Sequence, residues 1–191
     1  MVDWLASSLS ELSRVAYVAS YTTLAIILRF FELPFPPAPF LKYDIAGVPL
    51  ALLAFNSLRS SLIALPAFFL VSVILGADPV GMIMKVTAEV ATYVPLVILY
   101  RRFSSRSIGP ATALSVGVAT ASRTLAMCLL NLLVTPYWLM MAYPNYFTSF
   151  EIAWSYTLYY LPWITVFNAS LAVAVALLSI STYRVLRRMS R

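Results

Sequence analysis

The sequence predicts an all-α membrane protein: a compact bundle of six transmembrane helices with both termini in the cytoplasm. Three observations carry this. Of 191 residues, 62% are apolar and 10% charged, whereas soluble domains run near 45–50% and about 25%. The apolar residues gather into six segments. Lys and Arg are shared unequally between the gaps. This composition excludes a soluble globule and a disordered tail, and the +6 net charge is explained below by topology rather than by nucleic-acid binding. The whole chain, 1–191, reads as one integral membrane domain.

The spans fall at about 12–31, 45–58, 60–76, 79–100, 108–135 and 156–183. The first begins beyond Glu11, and nothing before it has the charged-then-apolar pattern of a signal peptide. A bilayer core of about 30 Å takes roughly 20 helical residues. The apolar cores of the second and third spans, Ile45–Phe55 and Leu62–Leu75, are shorter than that, so they are expected to pack against the others or to be extended by their flanks. Span five ends before Pro136, and span six carries Pro162 near one end.

An even number of spans puts both termini on one side. That side holds Arg14, Arg59, Arg101, Arg102, Arg106, Arg184, Arg187, Arg188 and Arg191, nine bases; the other holds Arg29 and Lys42. Nine against two places the termini in the cytoplasm by the positive-inside rule. The two long links, 32–44 and 136–155, are then external. The first carries four prolines, which fix φ and stiffen the chain, so it is expected to form a rigid strap over the bundle. The aromatic residues of the second, Tyr137 and Trp138 through Tyr146 and Phe147, form either an interfacial belt or part of a lid.

Ionisable groups at membrane depth cost about 2.5–3.5 kcal/mol each on insertion scales and mark function by default. Lys85, Glu89 and Arg123 are such groups, and Asn131 and Asn168 are polar companions. At about 1.5 Å per residue, Lys85 lies roughly 9 Å and Glu89 roughly 15 Å below the outer end of span four. By the same rise, Arg123 lies about 8 Å from the outer face, and Asn168 is close to that level. Polar groups of spans four, five and six thus converge under the strap, as a pocket open to the outside requires. A second arrangement stays open: Lys85 and Glu89, four apart, neutralise each other, or Arg123 joins Glu89 in a structural pair. In span one, Ala16 and Ser20, like Ala19 and Thr23, are spaced for close helix approach, either within the bundle or to a partner subunit.

The rare residues limit the chemistry. No His exists, so no His-assisted nucleophile or His metal ligand exists. The single cysteine, Cys128, cannot form an internal disulfide. There is no GxxxxGK[ST], so any ATP hydrolysis belongs to another chain. The chain is read as a binding protein, not an enzyme, and no metal or cofactor is expected; an intramembrane enzyme and an assembly subunit are the distant alternatives.

Four stretches resemble the substrate-binding (S) subunits of energy-coupling factor (ECF) vitamin transporters, closest to the riboflavin-specific branch. They are Pro39-Phe40-Leu41-Lys42-Tyr43-Asp44 entering span two; Pro79-Val80-Gly81 through Pro95 to Tyr100-Arg101-Arg102; Met127-Cys128-Leu129-Leu130-Asn131 before Pro136-Tyr137; and Phe167-Asn168 in a last span ending at Tyr183 and basic residues. The resemblance implies a six-helix subunit of the cell membrane that binds a vitamin from outside, riboflavin first and another flat heterocycle second. It implies a transmembrane coupling subunit and two cytoplasmic ATPases as partners, docking through Ala16, Ala19 and Ser20. Phe40, Leu41, Lys42, Tyr43, Asp44, Met84, Lys85, Glu89, Arg123, Met127, Asn131, Phe167 and Asn168 are the expected substrate-binding residues. One position departs: riboflavin binders carry a Lys three residues after the Asn matched by Asn168, and here it is Leu171. Lys85 and Arg123 stand at the depth to supply that cation instead.

Overall fold

The computed structural model describes residues 2–104 and 107–189, residues 2–10 by their backbone. Arg106 and Arg191, counted above among the basic residues of one side, lie outside the described residues. The elements run α1 (Val2–Leu28), β1 (Leu33–Phe35), β2 (Ala38–Tyr43), α2 (Gly47–Asn56), α3 (Leu58–Ile74), α4 (Pro79–Phe103), α5 (Ile108–Ala142) and α6 (Phe150–Met189). Among the described residues, α4, α5 and α6 are the helices long and apolar enough to cross a membrane. The apolar helices α2 and α3 have 10 and 17 residues, so α2 is only about 15 Å long, half a bilayer core.

Two expectations are corrected. The strap is not an irregular loop but an antiparallel hairpin, so the chain is not purely α. β1 pairs β2 with Leu33 opposite Tyr43 and Pro34 opposite Lys42, and the register shifts between Pro34 and Phe35. Prolines bias their preceding residues toward extended backbone, and two extended segments joined at Pro36-Pro37 pair where N–H groups remain. The second link, expected over 136–155, shrinks to residues 143–149. Pro136 interrupts one backbone bond but sits buried inside α5, where neighbouring helices support it as they do in membrane helices. Helices α5 and α6, with 35 and 40 residues, are therefore about 52 and 60 Å long, well beyond a bilayer core.

Helix ends follow local chemistry. Asp78 caps α4 by accepting from the Gly81 N–H at 2.5 Å, with Pro79 in the first turn. Ser57, extended at φ −152°, separates α2 from α3 and accepts from the Ser60 N–H at 3.2 Å. Gly76 turns the chain after α3 at φ +92°, a conformation that costs glycine nothing.

How α2 lies along α4 decides where the site forms. A Cβ built on Gly47, at the start of α2, would overlap Oε2 of Glu89. At the other end of α2, Arg101 Nη2 donates to the Phe55 carbonyl and, at 3.1 Å, to that of Asn56, caring for the last carbonyls of the helix. The stretch of α4 from Glu89 to Arg101, about 18 Å, thus runs beside all of α2. The half of α4 before Glu89 has no α2 beside it, and the space is left to the hairpin and a cavity.

The core lies beside the half of α4 from Glu89 onward, with Leu50, Leu53, Phe55, Phe68, Tyr93, Leu96, Val97 and Ile180 all nearly inaccessible. At its base Tyr183 stacks on Phe55 at 4.4 Å, and Tyr100 meets Phe55 edge-on at 5.6 Å. Arg14, Asn56 and Ser57 line a smaller cavity of about 250 Å³ near the same end. Arg14 of α1, Arg101 of α4 and Arg184 of α6, next to Tyr183, therefore lie toward this same end.

The Gly47 contact gives a first expected result. Glu89 is 1% exposed and held by Arg123, so it cannot rotate away from an added methyl group. Gly47→Ala is expected to cost about 1–3 kcal/mol through overpacking, read as a lower melting temperature in detergent. An unshifted melting temperature would mean that α2 and α4 do not approach so closely.

Candidate functional site

The space above α2 is a cavity of about 990 Å³, at the upper end of the range for small-molecule sites. Each long helix presents one stripe to it. From α5 come Arg123, Met127, Asn131, Thr135 and Leu139, a four-residue repeat that keeps one helix face turned inward. Lower on the same face the buried residues are Ala111, Ser115 and Ala119, small enough for close packing; replacing them by large and polar residues higher up opens the cavity. Helix α6 adds Tyr160, Ile164, Phe167, Asn168 and Leu171, and α4 adds Met82, Met84, Lys85 and Ala88. Phe40, Leu41, Lys42 and Asp44 close it from the hairpin side.

Of the thirteen expected binding residues, all but Tyr43 and Glu89 line this cavity. Tyr43 stands behind Phe167, ring centroids 4.8 Å apart, and its hydroxyl shares a hydrogen bond of 2.8 Å with Ser170 Oγ. Phe35 completes the trio at 5.7 Å from Phe167 and 5.6 Å from Tyr43. Phe40 meets Tyr160 edge-on at 5.1 Å. The hairpin is thereby fastened to α6 by three ring contacts and one hydrogen bond.

Glu89 stands behind Arg123. Arg123 Nη1 donates to Glu89 Oε1 and to Thr92 Oγ1, each at 3.2 Å, and its Nε donates to Asn168 Oδ1 at 3.2 Å. One guanidinium thus joins α4, α5 and α6. Lys85 does not neutralise Glu89, as its four-residue spacing allowed. It pairs with Asp44 at the end of the hairpin. The other Asp44 oxygen accepts from the Ala46 N–H at 2.9 Å, so one carboxylate both starts the entry into α2 and ties the hairpin to α4. Lys42 pairs with Glu32 at 2.7 Å in an exposed bridge, worth little by itself.

The amides keep capacity for a ligand. Asn131 donates one N–H to the Met127 carbonyl at 2.8 Å, and its oxygen accepts from Thr135 at 2.9 Å. Asn168 donates one N–H to the Ile164 carbonyl at 2.9 Å. Each amide therefore retains one N–H and one acceptor lone pair beyond these bonds, enough to meet the edge of a heterocycle. The ring faces of Phe167, Phe40 and Tyr160 and the thioethers of Met84 and Met127 supply flat and polarisable contacts.

Sequence reasoning missed part of the mouth. Trp138, Tyr143, Tyr146, Phe147 and Tyr156 line the cavity, so these aromatic residues form part of its wall, while Tyr137 is 60% exposed. Arg29 also lines it. Its signal was present: Arg29 and Lys42 are the two bases on the side poor in bases, and both border this space. Ala16, Ala19 and Ser20 are exposed, so the small-residue face of α1 is not used inside the bundle.

No family model matches the sequence, and no curated protein matches it. Among solved structures, the chain is similar to the S component of a bacterial ECF transporter, with a TM-score of 0.71 over 95% of this chain and 99% of that one at 19% identity. The fold is therefore like that of this S component.

Proposed function

From that fold and the cavity above, we propose that the chain is the vitamin-binding subunit of an ECF-type importer. It lies in the cell membrane as a multi-pass protein with both termini cytoplasmic, and riboflavin is the first ligand to test. The observation that supports this most is the combination of a 990 Å³ cavity, two amides with spare hydrogen-bonding capacity and a hairpin clasped over them. Met84, Met127, Phe167 and Phe40 would hold the faces of a flat ring, while Asn131 and Asn168 would read its edge. Lys85, Asp44, Leu41, Lys42 and Tyr43 would belong to the closing hairpin and its latch, and Arg123 with Glu89 would set the position of Asn168.

The exposed face formed by Ala16, Ala19 and Ser20 would receive the transmembrane coupling subunit, with two cytoplasmic ATPases supplying the free energy. Small side chains allow the close approach that helix association in lipid needs, where no hydrophobic drive exists.

Mass spectrometry of small molecules released from the protein purified in mild detergent tests the reading. A stoichiometric flavin is expected. A different flat vitamin would keep the transport role and replace the ligand, consistent with Leu171 standing where riboflavin binders carry a Lys. Preparations that neither release nor bind any heterocycle would overturn the proposal.

A further inference from the structure

Among the described residues, every cation bordering the cavity has an anionic partner except one. Lys42 has Glu32, Lys85 has Asp44 and Arg123 has Glu89. Arg29, just beyond the last residue of α1, is 9% exposed, and its Nε is buried with no hydrogen-bond partner. Its guanidinium carbon lies 4.7 Å from the centre of the Phe30 ring. The C-terminal end of α1 offers a partial negative charge, but the side chain donates to none of its carbonyls. A buried donor left without a partner is costly. The planar fork of the guanidinium suits a carboxylate or phosphate, which it can meet with two parallel bonds.

We propose that Arg29 is an anion-recognition residue of the cavity and that the molecule bound there carries a carboxylate or phosphate besides its flat ring. This rests on the vitamin-binding reading and narrows its substrate class to anionic heterocycles. The ring lies against Phe167, Asn131 and Asn168, and the acidic group reaches toward the end of α1. Lys42 and Lys85 cannot take this role without giving up Glu32 or Asp44, whereas Arg29 gives up nothing.

The test compares riboflavin with riboflavin 5′-phosphate, which differ by one phosphate, on the full chain and on Arg29→Gln and Arg29→Lys. The wild type is expected to bind the phosphate at least roughly tenfold more tightly, about 1.4 kcal/mol. Arg29→Gln should bring the two affinities together, and Arg29→Lys should keep most of the preference. Arg29→Gln breaks no ion pair and loses only the contact with the Phe30 ring, so it should melt close to the wild type without ligand. Equal wild-type affinities, or a preference that survives Arg29→Gln, would overturn the proposal. If neither flavin binds, the ligand class fails separately, and inorganic pyrophosphate decides about Arg29. A rise in melting temperature in the wild type but not in Arg29→Gln supports it, and an equal or absent rise sinks it. The same titrations in phosphatidylcholine nanodiscs with and without phosphatidylglycerol separate the two sources of anion. An anion response abolished by phosphatidylglycerol would give Arg29 to a lipid headgroup and overturn the small-molecule assignment.

Discussion

Arg123→Met is expected to lower stability by about 3–5 kcal/mol, because it leaves a buried carboxylate without its counter-charge. Glu89 is 1% exposed, and its second oxygen already has no hydrogen-bond partner. Thr92 and Asn168 lose their donor in the same step. Chemical denaturation in detergent reads the loss. The double variant Arg123→Met, Glu89→Leu should regain much of the stability, since apolar replacement of a whole buried pair is often neutral. It should not regain ligand affinity, because Asn168 would no longer be held from α5. A single variant as stable as the wild type would show that water reaches the pair.

The second large effect concerns the latch between hairpin and helix. Lys85→Met is expected to weaken ligand binding at least tenfold, roughly 1.4 kcal/mol, chiefly through faster release as the hairpin comes free of α4. Asp44, 3% exposed on its side chain, is the other half, so Asp44→Asn should match it. The double variant should be no worse than the more damaging single one, as two groups acting through one contact require. Isothermal titration with the released molecule checks this, and unchanged affinity in Lys85→Met removes Lys85 from the site. Lys85 is paired with Asp44 at the end of the hairpin, so it is not the unpaired cation that its depth alone suggested.

Much of this architecture is legible in the sequence because the membrane imposes strong rules. Apolar runs long enough to cross, and bases gathered at one end, leave few arrangements open. Depth alone then brings Lys85, Arg123 and Asn168 to one level with Asn131 nearer the outer surface, and all four border the cavity. Partners were less legible. Spacing on α4 offered Glu89 to Lys85, but which face of α4 meets α2 and which meets the hairpin depends on Gly47 and the shortness of α2. Tyr43, beside true lining residues in sequence, alternates to the far side of its strand and packs behind Phe167. Pro136 read as a helix end because proline ends helices in water; packed against other helices it is carried through. Arg29 was counted only for topology, since burial without a partner is a property of three-dimensional packing.

The cavity between α4, α5 and α6 is expected to open to the outer side and to hold the ligand. Thr135→Cys in a Cys128→Ser background places one thiol on the cavity wall. A membrane-impermeant maleimide, applied to right-side-out vesicles, is the direct measurement. Labelling from outside, abolished by the small molecule that the purified protein releases, is the predicted result. Labelling only after the vesicles are inverted, or labelling that the released molecule does not affect, would contradict the account.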